Sequence, residues 1–234
     1  MASLSSRAKL AMGAGITVLA VASVLLASRG SRTAGPSVTA ATPPRPADTT
    51  SLLLAERTRG DSLAPITIWE FSDFQCPFCR DFWRDVLPAL EREYVASGKV
   101  RLIYVNLPLS QIHPNAVRAH EFAMCVAREK RFWPFHDLLY RHQDNWARLP
   151  DPSAYFRGLV DSVGLKPQAI GGCADTHALA WVVSGEADAA RKAGISNTPS
   201  FVIEGMLMLG AFPIEDWRPI LDSMYTAKRR SGSQ

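Results

Sequence analysis

Two cysteines separated by two residues, Cys76-Pro77-Phe78-Cys79, are the feature of this sequence best suited to chemistry. A sulfur placed where a strand turns into a helix meets backbone N–H groups that lack partners and the positive end of the helix dipole, and both favour a thiolate. Cys76 takes that position in this reading and is the expected nucleophile. Cys79, one helical turn on, faces the same side and is placed to attack a mixed disulfide and resolve it. Pro77 suits the first helical turn, where its missing N–H would have had no partner. The same spacing can also supply half of a zinc site. Zinc frameworks usually bring a second close Cys or His pair, whereas Cys125 and Cys173 stand apart and His113, His120, His136, His142 and His177 show no ligand spacing. No metal is expected.

These sulfurs need a strand before them and a helix behind. Pro65-Ile66-Thr67-Ile68-Trp69-Glu70-Phe71 is a short β-rich run of the kind that forms a buried strand. Beyond the cysteines, Phe82, Trp83, Val86, Leu87, Leu90 and Tyr94 recur at three- and four-residue spacing, the stripe of an amphipathic helix. Pro88 is expected to kink that helix, since the stripe continues past it, and Gly98 to end it. Val100 to Leu107 reads as a second strand, so the order is β, α, β, which favours parallel strands joined by a right-handed crossover.

A helical block follows over about 112–193, with candidate helices at 115–129, 132–143, 153–163 and 173–193. Its breaks are expected at Trp133-Pro134, Leu149 to Pro152 and Gly171-Gly172. Strand character returns at Ser200 to Glu204 and Met206 to Leu209 around a turn at Gly205, and a last helix is expected at about 214–228. The fold class is α/β, with a helical insertion between a β, α, β half and a β, β, α half, and the folded domain is placed at 52–234.

The chain has 234 residues, 47% of them hydrophobic, which suits one domain with extra sequence at an end. Its formal charge is +4, and residues 1–51 account for all of it: Arg7, Lys9, Arg29, Arg32 and Arg45 stand against Asp48 alone. A neutral folded part leaves no electrostatic footprint for nucleic acid, so none is expected as a partner. Arg7 and Lys9 precede an uncharged apolar stretch, Leu10 to Ala27, long enough for a membrane anchor. The alternative is a cleaved signal peptide, for which Ala20-Val21-Ala22 offers a site. Residues 28–51, rich in Ser, Thr, Ala, Gly and Pro, read as a disordered linker. Under either reading of 1–27 the remainder is exported, to the extracytoplasmic, periplasmic side of a bacterial cell envelope.

Phe71-Ser72-Asp73-Phe74-Gln75-Cys76-Pro77-Phe78-Cys79-Arg80 together with Ser196-Asn197-Thr198-Pro199-Ser200-Phe201 resembles the DsbA-like branch of thioredoxin-fold proteins, in its DsbG and BdbD type. The likeness covers nearly all of 62–226. It includes His113-Pro114-Asn115-Ala116 and Phe132-Trp133-Pro134-Phe135-His136-Asp137, which look like motifs of that group's helical insertion. The resemblance implies a thioredoxin fold and protein thiol-disulfide exchange with exported proteins, recharged by a membrane redox partner. No dissociable cofactor is implied, since the disulfide itself holds the electrons. It implies a cis bond at Thr198-Pro199, packed beside the sulfurs and offering backbone to a substrate chain.

The resemblance also gives Glu70 the place of a buried acid. Ionised burial is expensive, so its pKa should be raised, and it is expected to exchange protons with Cys79 unless it is only a satisfied structural carboxylate. Asp73 is expected on an exposed turn. Some relatives carry a second disulfide in the insertion, which makes Cys125 and Cys173 a structural disulfide candidate; otherwise they are two buried free thiols. Phe78 stands where the most oxidising relatives have a histidine, which weakens the assignment of direction. Oxidase chemistry is the first expectation; reductase or isomerase chemistry, or a redox-inactive peptide-binding chaperone, are the alternatives. The chain is expected to be a monomer.

Overall fold

The computed structural model describes residues 46–231. The apolar segment expected at 10–27, and most of the linker, lie outside the described residues. Helix α1 (Pro46–Glu56) opens the described chain, so the linker expected over 28–51 gives way to helix at Pro46. Its Leu53 is fully buried, which is why the segment folds with the domain.

Strands β1 (Thr58–Arg59) and β2 (Ile66–Ser72) precede α2 (Pro77–Asp81), which continues helically to Val95 through α3 (Leu87–Leu90). Two π-helical turns, Phe82–Val86 and Glu91–Val95, flank α3. Pro88 has no N–H to give the turn before it, and the helix accommodates this by wider winding, with the Leu87 N–H bonded to Phe82 O and Ala96 N–H to Glu91 O. Strand β3 (Val100–Asn106) then pairs with β2 in parallel, Glu70 opposite Tyr104.

Helices α4 (Ala116–Arg128), α5 (Phe132–Arg141), α6 (Gln143–Trp146), α7 (Ser153–Ser162), α8 (Pro167–Asp175) and α9 (Ala180–Lys192) form the insertion. Strands β4 (Ser200–Ile203) and β5 (Met206–Leu209) and helix α10 (Ile214–Ser231) complete the chain. The sheet order is β1-β3-β2-β4-β5, with β2 central and β4 antiparallel to it.

The expected helix at 173–193 is two helices. Gly171 and Gly172, read as a break, lie inside α8, which Pro167 starts from its first position. A Cβ on Gly171 would stand 2.5 Å from Arg157 Nε, so glycine here serves close packing. The chain turns instead at His177, whose φ of 53° is left-handed. Trp133-Pro134 likewise belongs to the first turn of α5, where a proline is tolerated.

Alternation along β2 buries Ile66, Ile68, Glu70 and Ser72 on one face. Ile66 and Ile68 join Phe82, Leu90, Phe201 and Trp217 in one apolar core, while Phe74, Cys76 and Cys79 belong to the core of the insertion. The cysteines therefore sit at the seam between sheet and insertion. A polar lock ties the insertion to the sheet nearby: fully buried Arg57 makes paired bonds to Glu186 (2.6 and 2.7 Å), which also accepts from Asn106 Nδ2 (2.7 Å).

Candidate active site

Cys76 caps the start of α2 in an extended conformation, with Pro77 in the first turn and Cys79 one turn along. Both are free thiols. Cys76 is 3% exposed and Cys79 not at all, so an incoming sulfur can reach only Cys76. Pro77 and Phe78 are exposed between them, Phe78 to 62%.

Thr198-Pro199 is a cis bond, and the Cys76 thiol donates to the Thr198 carbonyl oxygen at 3.4 Å. The loop before β4 thus crosses directly over the reactive sulfur. Pro199 is buried and Thr198 half-buried. Four residues distant in sequence from one another, Cys76, Cys79, Thr198 and Pro199, are brought together as the pattern required.

The two sulfurs differ sharply in proton affinity. Hydrogen bonding from Cys79 draws the Cys76 pKa down to about 6 against the opposing effect of burial, with further help from Thr198 and the Cys79 backbone N–H. Burial pushes Cys79 well above the usual thiol range, and the neighbouring Cys76 adds to it. One sulfur is prepared as a thiolate and the other holds the proton, the division that nucleophile and resolving thiol require.

Glu70 is buried on the same face of β2, two residues before Ser72. Desolvation raises its pKa to about 7, only partly offset by hydrogen bonding from Ser72 and by the charge of Arg59. Its Oε2 has no hydrogen-bond partner among the described residues. The Ser72 hydroxyl serves Glu70 and Cys79 alike as a hydrogen-bonding group and also contacts Tyr140 Oη at 2.8 Å. Ser72 and Tyr140 were not singled out from the sequence; the alternation of β2 alone would have placed Ser72 beside Glu70.

Asp73 is fully buried, contrary to the exposed turn expected for it. Its carboxylate is drawn inward because three donors converge on it: Gln75 N–H (2.7 Å), Leu109 N–H (2.8 Å) and His113 Nδ1 (2.8 Å). The insertion also grips the cysteine turn directly. Gln143 Nε2 donates to Phe74 O (2.7 Å) and Cys76 O (3.0 Å), and Gln75 exchanges bonds with Asn115 N–H and Ala147 O. No local sequence signal marks Gln143, whose partners are 67 and 69 residues away.

Cys125 of α4 and Cys173 of α8 are joined by a disulfide with Cα atoms 6.0 Å apart. Among the described residues no three His, Cys, Asp or Glu side chains gather as metal ligands.

A family model described as thioredoxin matches residues 53–223. The chain belongs to the thioredoxin family. Its sequence is similar to disulfide bond formation proteins, and its fold is that of solved DsbA-type structures. The probable disulfide bond formation protein D of Bacillus cereus is 29% identical over 158 residues, 65% of this chain and 71% of that protein. The Na(+)/H(+) antiporter NhaA 3 of Salinispora tropica is 32% identical over 174 residues, 74% of this chain, which spans only 25% of the antiporter's length. The crystal structure of oxidised BdbD from Bacillus subtilis superposes with a TM-score of 0.67 at 22% identity, covering 73% of this chain and 92% of that one. Wolbachia pipientis alpha-DsbA1 gives 0.68 at 21% identity, over 75% and 93%. This thioredoxin-family chain thus has the expected fold class, a mixed sheet interrupted by a helical insertion.

Proposed function

We propose that this protein is an extracytoplasmic thiol-disulfide oxidoreductase that passes a Cys76–Cys79 disulfide to exported proteins. The observation that carries the reading is the division of labour between the sulfurs: an acidic, marginally exposed Cys76 under the Thr198 carbonyl, and a proton-retaining, enclosed Cys79.

In the oxidising direction a substrate thiolate attacks Cys76 Sγ. A new S–S bond forms as the Cys76–Cys79 bond breaks, and the leaving Cys79 sulfur takes up a proton. A second substrate thiolate then attacks the substrate sulfur of the mixed disulfide and releases Cys76 as a thiolate. The substrate loses two electrons and the cysteine pair gains them, so no dissociable cofactor is needed. Glu70, poised to titrate near neutrality, supplies and recovers the Cys79 proton by way of Ser72. Backbone of the Thr198-Pro199 loop orients the substrate chain beside the sulfurs. A membrane redox partner reoxidises the pair.

A stable thiolate on Cys76 favours the reduced form of the pair and so favours donation of the disulfide, which supports the oxidase direction. Phe78, which brings no cation between the cysteines, favours a less oxidising pair and keeps the reductase or isomerase direction as the second reading. The Cys125–Cys173 bridge suits an oxidising compartment outside the cytoplasm. Residues 10–27 would direct export, as an anchor or a cleaved signal. Among the described residues no helix is long and apolar enough to cross a membrane.

Equilibration of the purified protein with glutathione buffers tests the reading. A potential near about −120 mV is expected for an oxidase and one near about −270 mV for a reductase. Absence of any exchange at Cys76 would remove the oxidoreductase reading altogether.

A further inference from the structure

The exchange chemistry leaves one buried ion pair beside the sulfurs without a role. Asp73 lies in the turn that carries both of them: its N–H donates to Cys79 Sγ at 3.5 Å, and its carbonyl oxygen accepts from Cys76 N–H at 3.0 Å. Its carboxylate is fully enclosed and acts against a thiolate on Cys76 by like-charge repulsion. An acid so close to the nucleophile is a liability unless something offsets it.

His113 meets that carboxylate from a separate element, the loop between β3 and α4. The loop is fixed by the His113 N–H, which donates to Leu109 O (2.9 Å), and by the Leu109 N–H, which donates to Asp73 Oδ2 (2.8 Å). Only 14% of the His113 side chain is exposed. Its ring bond to Asp73 and the charges of Asp73 and Cys76 all favour the protonated imidazole, against the cost of burial. The charged and titratable groups around it are Asp73 from the turn after β2, Cys76 from the start of α2, and on the α9 side Arg191, whose Nη2 donates to Pro108 O of the same loop at 3.4 Å.

We propose that His113, gripped by the buried carboxylate of Asp73, is a positioning residue that neutralises Asp73 and so keeps Cys76 anionic, supplying from the insertion the positive charge that Pro77-Phe78 does not. The pair acts as a unit, because Asp73 is what holds the proton on His113. The proposal deepens the oxidoreductase reading and rests on Cys76 being its nucleophile.

Linkage gives a test that needs no variant. If His113 favours the Cys76 thiolate, the thiolate must favour the His113 proton by the same amount. The ring-proton resonance of His113, followed by NMR across pH in the full-length protein, should therefore titrate at higher pH in the reduced state than in the oxidised state. Equal midpoints would overturn the proposal. In His113→Gln, thiolate absorbance of the reduced protein should place the Cys76 midpoint higher by about half a pH unit, roughly a threefold change in thiolate stability. The glutathione equilibrium should move about threefold toward the protein disulfide. An unmoved titration would also overturn it. In an Asp73→Asn background the His113→Gln change should add nothing; additive effects would show that the two side chains are not a unit. None of these titrations requires a protein substrate. Failure to oxidise exported-protein thiols would therefore sink the functional reading while leaving the His113 result readable.

Discussion

The chain carries two pairs of cysteines that the fold treats in opposite ways, and burial does not separate them. Cys76 is 3% exposed and Cys125 is 2% exposed. Cys125 lies among apolar residues of the insertion core and is bridged across 48 residues to Cys173, whose sulfur lies 3.9 Å from Arg128 Nη1. Cys76 and Cys79 stand at a strand-to-helix junction among Ser72, Asp73, Glu70 and the Thr198 carbonyl. Around the first pair the two sulfurs have no reason to differ in charge. Around the second the two sulfurs are driven apart, Cys76 toward thiolate chiefly by hydrogen bonding from Cys79 and Cys79 toward thiol chiefly by burial. Reactivity here is a property of that asymmetry.

The largest effects should break the comparison into its two halves. Cys76→Ser is expected to abolish exchange with glutathione disulfide, and Cys79→Ser to leave mixed disulfides trapped on Cys76 because nothing resolves them; both are read by mass spectrometry of the quenched protein. Replacing Cys125 and Cys173 together with Ser should leave the exchange rate and the potential of the Cys76–Cys79 pair unchanged. It should cost about 4 kcal/mol of stability in denaturant unfolding, the chain-entropy value for a loop of that length. A shift in the potential would mean that the insertion bridge tunes the active pair, and the contrast would fail. The count of free thiols in the denatured, oxidised protein should be zero; two thiols would remove the bridge.

Glu70 sharpens the same contrast from the proton side. Its pKa is raised from 4.5 to about 7 by burial. Between those values the unfolded chain has given up this proton while the native state keeps it, so stability falls as pH rises through the interval and is not regained above it. The cost is about 3 kcal/mol. Glu70→Gln, which cannot ionise, should therefore be more stable than the parent by up to that amount at about pH 8, with the gap closing below about pH 4.5. Exchange should also lose its step near neutrality. An unchanged pH profile would leave Glu70 as a buried residue with no part in the chemistry.

How much of this was legible beforehand follows the range of the interactions. The order β, α, β, helical block, β, β, α could be read because each element is written in local periodicity, and the helix after the cysteines survived Pro88 because its apolar stripe did. Helix ends were less legible: Gly171 looks like a breaker and is a packing glycine against Arg157, while the true turn is made by His177 in a conformation that no residue type announces. Within the candidate site, a short motif or a resemblance singles out Cys76, Cys79, Glu70, Thr198 and Pro199. Asp73 was misread, because a polar residue after a strand is ordinarily solvated. What buries it is the loop at Leu109 and His113, about 36 to 40 residues away. Gln143 was missed for the same reason. Long-range polar clamps leave no periodic trace.

The smallest effect asks whether a charge added from outside can replace one held inside. Phe78→His would put an ionisable side chain between the cysteines, but residue 78 is 62% exposed, and charges in contact with solvent are screened by salt over about 10 Å at 0.1 M. The Cys76 midpoint should fall, and the pair become more oxidising, by about half a pH unit at low salt. Most of that shift should be lost at about 1 M salt, where screening reaches about 3 Å. The contribution of the enclosed groups around Asp73 should persist under the same conditions, since buried pairs are screened much less. If the Phe78→His shift proved insensitive to salt, the new imidazole would have to be held against the protein as His113 is. The distinction drawn between the exposed dipeptide and the enclosed turn beneath it would then fail.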